Sequence, residues 1–347
     1  MTEAQWRQLL AVVNGEKVSP LPTGFIIDSP WLPAWTGKGS ILDYYGSDEF
    51  WLEANLQAIR RFPGSIFLPG FWSEYGMCTE PSAFGAKCIW HADELPFAEK
   101  IIETPEQMAA LRKPDVHTDG LLPFMLGRLQ RLQPRLEAEG HQIKFAVARG
   151  PLNIASFLMG TTEFLMAMND DPEKTHKMLG TITDFLCVWI QLQKATIPTI
   201  EGIFLLDDIV GFLGEDDFKT FAQPYLQRAF NSIDAKVRFF HNDAGGLVCA
   251  PHLAEIGINL FNFSFSHELT LMQGLVGDKV ALLGNLPPRD VLALGTPDQV
   301  RAATAAMLAP VTDARRLLVS VGGGMSPGTP TANIEAFLET VKSFSNK

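Results

Sequence analysis

A histidine and an aspartate stand two residues apart in the segment FFHNDAGG, residues 239–246. Residues two apart in a strand share a face, so His241 and Asp243 are expected to point into the same space. An imidazole and a carboxylate placed in this way can bind a divalent metal or form an acid–base pair. The alternative is a hydrogen-bonded core histidine. A catalytic zinc needs about three protein ligands, so these two residues do not by themselves make a zinc site.

Polar residues also end the other apolar runs of the chain. They are Asp28, Glu74, Tyr75, Arg149, Asn153, Asp207, Asp208, Ser266, His267, Glu268, Asn285 and Gly323. Adjacent side chains diverge in extended backbone, so at most one of Asp207 and Asp208 enters a shared cavity, while the other caps the next helix. The one that enters would be a metal ligand, an acid or base, or an anchor for a substrate N–H group. His267 and Glu268 either belong to the site or act electrostatically at a helix start.

The aromatic stretches SPWLPAW (29–35) and FWSEYG (71–76) add apolar surface near these residues. Trp72 and Tyr75 are predicted to wall a flat apolar ligand, although the core of an ordinary loop explains the same residues almost equally well. The segment CIWHAD (88–93) fits no tight zinc spacing, and packing is the better interpretation.

Eight short apolar runs alternate with stretches of helical periodicity and would position these side chains. The runs are Gly24–Asp28, Ser65–Phe71, Lys144–Gly150, Gly202–Asp208, Val237–Asp243, Leu260–Ser266, Val280–Leu286 and Arg316–Gly322. Runs that are apolar on both faces suit parallel strands covered by helices, and eight strand–helix units predict a TIM (β/α)8 barrel of the α/β class. An open doubly wound sheet is the rival, but no GxGxxG motif opens a helix after the first strand.

The barrel is predicted as a single domain over residues 1–347, with two additions. Residues 1–20 form a helical leader, and residues 72–103 form an insertion after the second strand that folds over the barrel mouth. Candidate helix starts are Asp171-Pro172, Gly214-Glu215 and Thr296-Pro297. In a TIM barrel the carboxyl ends of the strands build the active site, so the polar strand ends are expected to converge there.

The composition excludes some partners. The chain has 39 Asp and Glu against 28 Lys and Arg, a formal net charge of −11, which disfavours nucleic acid and anionic membranes. No run reaches the roughly 18 apolar residues of a membrane span. The four cysteines form no CxxC pair and no signal peptide is evident at the start, so a cytoplasmic protein is the expectation. A homodimer and a monomer are equally compatible with the sequence.

Several motifs, in order, resemble the uroporphyrinogen decarboxylase superfamily. They are RGPLNIASFLMG (149–160), DDPEKTHKML (170–179), IFLLDDIVGFLGEDDFKTFAQPY (203–225), FFHNDAGG (239–246), LLGNLPPRDVLALGTPDQV (282–300) and SVGGGMSPGTPTANIEAF (320–337). The resemblance implies a TIM barrel, in agreement with the strand count. The chain is more similar to the cobamide-dependent methyltransferase branch than to the true decarboxylases.

The departures from the family patterns bear on the chemistry. The arginine-rich segment by which the decarboxylases bind substrate carboxylates is replaced by FIIDSPWLPAW, and their Ser-Asp after the second strand by Ser73-Glu74. The methyltransferase branch holds zinc through His-x-Cys and a second cysteine, which here are His241, Asp243 and Gly323. The substitutions imply an oxygen-rich metal site of His241, Asp243 and a carboxylate such as Glu74, Asp207 or Glu268, which would suit polarising an ether or phenolate oxygen.

The leading hypothesis from this resemblance is a metal-assisted methyltransferase. It would move a methyl group between a small substrate, for example a methoxylated aromatic compound, and a cobalamin-type corrinoid on a partner protein. His241, Asp207 and Glu74 are the predicted catalytic residues. The predicted substrate or cofactor contacts are Arg149, Asn153, Asp28, Trp72, Tyr75, Ser266, His267, Asn285 and Gly323, and the predicted zinc ligands are His241, Asp243 and Glu268. The alternatives are a decarboxylase for a small pyrrolic or aromatic acid held by Arg149, and a non-catalytic binding protein.

Overall fold

Eight parallel strands form one curled sheet in the computed structural model, which describes residues 1–345. The strands are β1 (Thr23–Ile26), β2 (Ser65–Leu68), β3 (Phe145–Arg149), β4 (Gly202–Leu206), β5 (Val237–Asn242), β6 (Leu260–Phe263), β7 (Ala281–Leu286) and β8 (Leu317–Val321). The hydrogen-bonded order is β2-β1-β8-β7-β6-β5-β4-β3. β1 pairs with β8 through Thr23 and Val319, so the first and last strands of the chain are neighbours, as they are in a (β/α)8 barrel. The predicted fold class is confirmed.

The two faces of each strand pack into different apolar cores. On β4, Phe204 and Leu206 belong to an inner cluster to which all eight strands contribute, whereas Ile203 and Leu205 belong to the larger cluster shared with the helices. The inner rings are in contact, with the centroids of Phe204 and Phe239 4.3 Å apart. Burial on both faces explains why the strands read as continuous apolar runs.

Helices surround the barrel and connect its strands. They are α1 (Glu3–Val13), α2 (Leu32–Thr36), α3 (Ile41–Gly46), α4 (Asp48–Arg61), α5 (Thr79–Ala83), α6 (Pro105–Ala110), α7 (Leu122–Ala138), α8 (Pro151–Met159), α9 (Thr161–Asp170), α10 (Pro172–Thr196), α11 (Glu215–Asp217), α12 (Gln223–Phe230), α13 (Leu253–Ile256), α14 (Leu269–Val276), α15 (Pro297–Leu308) and α16 (Thr331–Ser345). Short 3₁₀ turns cover Gly76–Cys78, Asp208–Phe212 and Ala250–His252, and single π turns cover Phe218–Ala222 and Pro288–Ala293.

The helix starts follow the local sequence. The Asp171 side chain accepts a hydrogen bond from the Lys174 amide at the start of α10, and Thr296 forms a capping box with Gln299 at the start of α15. Both helices begin at the proline that the sequence predicted for their first turn, Pro172 and Pro297.

Within residues 1–345, no helix combines the length and the apolar character that crossing a membrane requires.

Helix α1 closes the barrel at the amino ends of the strands. Trp6, Leu9 and Val12 join the inner cluster, and the Trp6 ring lies 5.6 Å from that of Phe145. The Trp6 indole donates a hydrogen bond to Glu201, next to the first residue of β4, at 2.8 Å. The opposite end of the barrel, where the strands finish, is therefore the end that remains for a site.

The segment between β2 and α6 packs through aromatic contacts beside that end. It contains α5 and a small antiparallel hairpin of Cys88–Ile89 with Phe97–Ala98. The rings of Tyr75 and Trp90 lie 6.2 Å apart, and both contact Tyr45 at 5.6 and 6.0 Å. Tyr75 is thus part of an aromatic cluster that joins this segment to α3. The assignment of the whole chain to a single domain stays a prediction.

Candidate active site at the carboxyl ends of the strands

Three side chains from β5 and the loop after β4 approach one another at the centre of the barrel mouth. The His241 Nε2 atom lies 3.5 Å from Asp208 Oδ1 and 3.8 Å from Asp243 Oδ2. One ligand atom from each residue lies within 4.8 Å of the others. We call this set the Asp–His–Asp triad. Burial raises the pKa of the Asp243 carboxyl, His241 opposes the rise and Asp208 adds to it.

The strand register explains why these residues meet. Inward-facing residues alternate, so Leu206 on β4 is followed at the next inward position by Asp208, and Phe239 on β5 is followed by His241 and Asp243. Because β4 and β5 are parallel neighbours, with Leu206 paired to His241, their inward side chains come together. The pairing of strands, together with the period of two, assembles the triad.

A buried asparagine on β6 determines which nitrogen of His241 is free. The Asn262 amide nitrogen donates to the carbonyl oxygens of Leu283 at 2.8 Å and Val321 at 3.2 Å, so its Oδ1 must face His241 Nδ1, 2.7 Å away. Since Oδ1 can only accept, His241 Nδ1 carries a proton. In the neutral ring the lone pair is therefore on Nε2, the atom that faces the two carboxylates, and this is the arrangement expected of a metal-ligating histidine.

Asp207, a predicted catalytic residue, caps a helix. Its carboxylate is fully buried and accepts hydrogen bonds from the backbone amides of Leu152 at 2.8 Å and Asn153 at 3.0 Å, in the first turn of α8. Burial raises the pKa of Asp207 well above its usual range, and the two amides oppose this. Asn153 in turn accepts from the amides of Asp208 and Ile209 at 3.1 and 3.2 Å. Asp207 and Asn153 therefore hold the loop that carries Asp208.

Two glycines after β8 adjoin the site. A Cβ atom built on Gly323 would lie 2.8 Å from Asp243 Oδ2, and the backbone there has φ +123°, a region that side chains disfavour. A Cβ atom on Gly324 would lie 3.8 Å from Asp28 Oδ2. Since consecutive Cα atoms are about 3.8 Å apart, the carboxylates of Asp28 and Asp243 are within roughly 13 Å of each other, a span that one small ligand can bridge.

A second polar group lies at the ends of β1, β2 and β3. The Arg149 guanidinium binds both carboxylate oxygens of Glu74, at 2.9 and 3.2 Å, and the Arg149 amide donates to Glu80 at 3.3 Å. Asp28 is electrostatically coupled to Arg149 and His241. We call Asp28, Glu74 and Glu80 around Arg149 the acid cluster. Burial raises the pKa of Glu74 to about 8 and those of Asp28 and Glu80 to about 7, although Arg149 opposes each shift.

Several buried polar atoms of this region have no hydrogen-bond partner among the described residues. They are Asp28 Oδ1, Trp72 Nε1, Ser73 Oγ and Arg149 Nε. The side chain of Trp72 is in the inner cluster, packs on Phe204 at 5.6 Å and lies under the Arg149 guanidinium at 5.8 Å. Unpartnered buried polar atoms are uncommon and costly, so a ligand or ordered water is expected to bind them.

The predicted residues after β6 and near the end of β7 lie apart from both groups or support the loops. His267 Nε2 accepts a hydrogen bond from the Gly246 amide at 3.3 Å, and Asn285 donates to the carbonyl oxygens of His267 and Ser264 at 2.5 and 3.3 Å. Ser266 and Glu268 are exposed, and Glu268 is outside the Asp–His–Asp triad. In this structure the third carboxylate beside His241 and Asp243 belongs to Asp208.

Three residues of the site were not singled out by the sequence reasoning: Asp208 as the inward carboxylate, Asn262 and Glu80. The period of two along β4 carries the signal for Asp208, because counting inward positions from Phe204 reaches 206 and 208. Asn262 is an amide within the apolar run LFNFSFS, and a buried amide in a strand is unusual enough to mark it. Glu80 lies on α5 and carries no comparable signal.

A model of the family described as uroporphyrinogen decarboxylase (URO-D) matches residues 5–344 of the chain. A methylated-thiol–coenzyme M methyltransferase of Methanosarcina mazei is 25% identical over 273 residues, which are 78% of this chain and 71% of that protein. A uroporphyrinogen decarboxylase of Thioalkalivibrio sulfidiphilus is 24% identical over an alignment of 359 positions that covers 98% of each chain. Among solved structures, a methyltransferase from Methanosarcina mazei superposes with a TM-score of 0.81 at 17% identity, covering 97% of this chain and 98% of that one.

Proposed function

The chain belongs to the uroporphyrinogen decarboxylase family, and we propose that it is a metal-assisted methyltransferase that moves a methyl group between a small substrate and a corrinoid on a partner protein. The Asp–His–Asp triad is the observation that carries this proposal. Similarity to the methylated-thiol–coenzyme M methyltransferase over 78% of this chain supports it, because that relative is a methyltransferase.

The donor set of the triad fits a divalent metal such as zinc. One imidazole nitrogen with a directed lone pair and two carboxylates are ligands that zinc accepts, and they leave a position open. Gly323 leaves the space beside Asp243 free of a side chain. A bound divalent cation would supply Lewis acidity to the heteroatom that carries the methyl group. Oxygen ligands in place of thiolates suit an oxygen or nitrogen substrate better than a thiol.

The protein's own residues would hold the substrate in line with this site. Asn262 keeps the His241 ring oriented through its 2.7 Å bond, and Asp207 and Asn153 fix the backbone on which Asp208 stands. When the methyl group leaves, the heteroatom keeps the electron pair of the broken bond. A cation held by the triad would stabilise the electron pair on that atom. The acid cluster would hold the other end of the substrate.

The rim of the same barrel end is suited to contact a protein partner. Large apolar side chains are exposed on the loops after four successive strands: Phe212 at 62%, Leu247 at 43%, Phe265 at 46% and Leu294 at 73%. Exposed apolar side chains grouped around a site are typical of surfaces that bind another macromolecule. We place the corrinoid protein on this rim.

Decarboxylation is less well supported, although several relatives are uroporphyrinogen decarboxylases. The decarboxylase hypothesis requires Arg149 to hold a substrate carboxylate. In the structure this guanidinium is already paired with Glu74 and lies beside Glu80, so a carboxylate would enter a region with an excess of acids.

Metal binding and methyl transfer in matched variants test the proposal. The wild type, His241→Ala, Asp243→Asn and Glu268→Gln would be reconstituted with zinc, dialysed and analysed for bound metal, and then assayed with cob(I)alamin and methoxylated aromatic donors. We expect the first two variants to lose both the metal and methylcobalamin formation. Glu268→Gln should retain both, because Glu268 is exposed and outside the triad. Wild-type protein that holds no metal, or His241→Ala with unchanged activity, would refute the metal-assisted mechanism.

A further inference from the structure

The acid cluster contains more carboxyl groups than cations. Three carboxyl groups, those of Asp28, Glu74 and Glu80, surround a single guanidinium, that of Arg149. Ionised carboxylates buried without a matching cation are costly, and such a site either takes up protons or binds a positive charge. The cluster therefore has room for one more cationic group.

The unpartnered atoms show where a ligand would bind. Asp28 Oδ1 is a buried acceptor without a donor, and no other hydrogen bond to the Asp28 side chain is present among residues 1–345. Trp72 and Ser73 are only 6% and 1% exposed, yet the indole N–H and the hydroxyl have no partner within the described chain. These donors and this acceptor lie on adjoining strand ends around Arg149, whose Nε–H is also free of a partner there.

We propose that the acid cluster selects a methyl substrate that carries a protonated amine, which donates to Asp28 and neutralises the cluster while the methyl-bearing end reaches the Asp–His–Asp triad. An oxygen atom on the same molecule would accept from Trp72 or Arg149. The inference rests on the proposed function, because it names the class of substrate for that site. The short path from Asp28 to Asp243 past Gly324 and Gly323 matches a small molecule of this kind.

Binding of a cation should depend on pH in a defined direction. The charged and titratable groups around Glu74 and Glu80 are Arg149 on β3, Asp28 after β1, and Tyr44 and Tyr45 on α3. With pKa values of about 8 and about 7, Glu74 and Glu80 hold protons at neutral pH that a bound ammonium would displace. Affinity for the cation should therefore increase between pH 6 and pH 8.5, whereas affinity for a neutral analogue should change little.

Three probes that share a methoxyphenyl ring and carry a positive, a neutral or a negative second substituent test the inference. Calorimetric titration of the full chain at pH 7.5 would compare 3-methoxybenzylamine, 3-methoxybenzyl alcohol and 3-methoxybenzoate. We expect the amine to bind at least about tenfold more tightly than the other two, since a hydrogen bond to a charged group is roughly twice as strong as a neutral one and the attraction is buried. Asp28→Asn and Glu80→Gln should remove this preference. Glu99→Gln is the matched control and should leave it unchanged, because Glu99 is half exposed in the same segment.

The outcomes separate this inference from the proposed function. Equal binding of the three probes, tighter binding of the benzoate, or no binding of the amine would overturn the inference. A preference that persists in both Asp28→Asn and Glu80→Gln would also overturn it. Because calorimetry requires neither a corrinoid nor turnover, a preference for the amine without methyl transfer would refute only the proposed function. Methyl transfer without a charge preference would refute only the inference that the acid cluster selects the substrate.

Discussion

The bond between Asn262 and His241 leads to the sharpest prediction. In Asn262→Ala, the carbonyl oxygens of Leu283 and Val321 lose their amide donor, and His241 Nδ1 loses its acceptor at 2.7 Å. Buried polar groups left without a partner cost about 1–3 kcal/mol each when water does not replace the bond. Partial relaxation reduces the total, and we expect the free energy of unfolding to fall by about 2–4 kcal/mol.

The same substitution should weaken metal binding by a separate mechanism. Without Asn262, the His241 ring can rotate or place its proton on Nε2, the atom that faces Asp208 and Asp243. Removal of a partner that orients a ligating histidine typically lowers metal affinity by about 10–100-fold, which corresponds to about 1.4–2.7 kcal/mol. Competition with a chromophoric chelator measures the zinc affinity, and urea denaturation monitored by circular dichroism measures the stability.

Asn285→Ala is the matched control. Asn285 is a buried asparagine at the end of a neighbouring strand, and its amide also donates to two carbonyl oxygens, but it does not contact His241. We expect a similar loss of stability with unchanged zinc affinity. Equal zinc affinity in the two variants, or wild-type affinity in Asn262→Ala, would refute the tautomer argument and leave Asn262 with a packing role only.

Three further predictions concern neighbouring residues. Asp207→Ala should lower the free energy of unfolding by about 2 kcal/mol through loss of the α8 cap, whereas Asp208→Ala should cost little stability and weaken metal binding; denaturation and chelator competition distinguish the two. Gly323→Ala should reduce zinc affinity, because its Cβ atom would displace Asp243 and because φ there is positive; wild-type affinity would contradict the close approach. The pKa of Glu80 is raised from 4.5 to about 7 by burial, so the folded state keeps a proton that the unfolded state releases. Stability should therefore fall as the pH rises from about 4.5 to about 7, and Glu80→Gln should flatten that part of the curve of unfolding free energy against pH.

Much of the barrel was predictable because its signals are local. Every run from Gly24–Asp28 to Arg316–Gly322 contains a strand of the structure, since burial on both faces makes each strand a continuous apolar segment bounded by polar or glycine residues. The starts of α10 and α15 were likewise readable from an N-cap followed by a proline. The prediction that His241 and Asp243 share a face likewise depends only on the alternation of side chains along a single strand.

The choice between Asp207 and Asp208 shows the limit of that reasoning. The sequence established that two adjacent carboxylates must point apart, and it assigned the catalytic role to Asp207. The structure buries Asp207 under α8, where it caps the helix, and turns Asp208 toward His241. The alternation of side chains along β4 places Asp208 on the same face as Phe204 and Leu206. It identifies Asp208 as the inward carboxylate only when one knows that this face forms the barrel interior.

The sequence by itself determined the number of strands, their apolar character and the polar residues that end them, because those properties depend on neighbours within one segment. Tertiary structure alone decided which of these residues meet. Asn262 lies 21 positions from His241, and the interactions among Asp28, Glu74, Glu80 and Arg149 join the ends of three strands and a helix. Such contacts arise from the pairing of strands and the curl of the sheet, which bring together segments that are far apart in the sequence. No local pattern records which of these segments will meet.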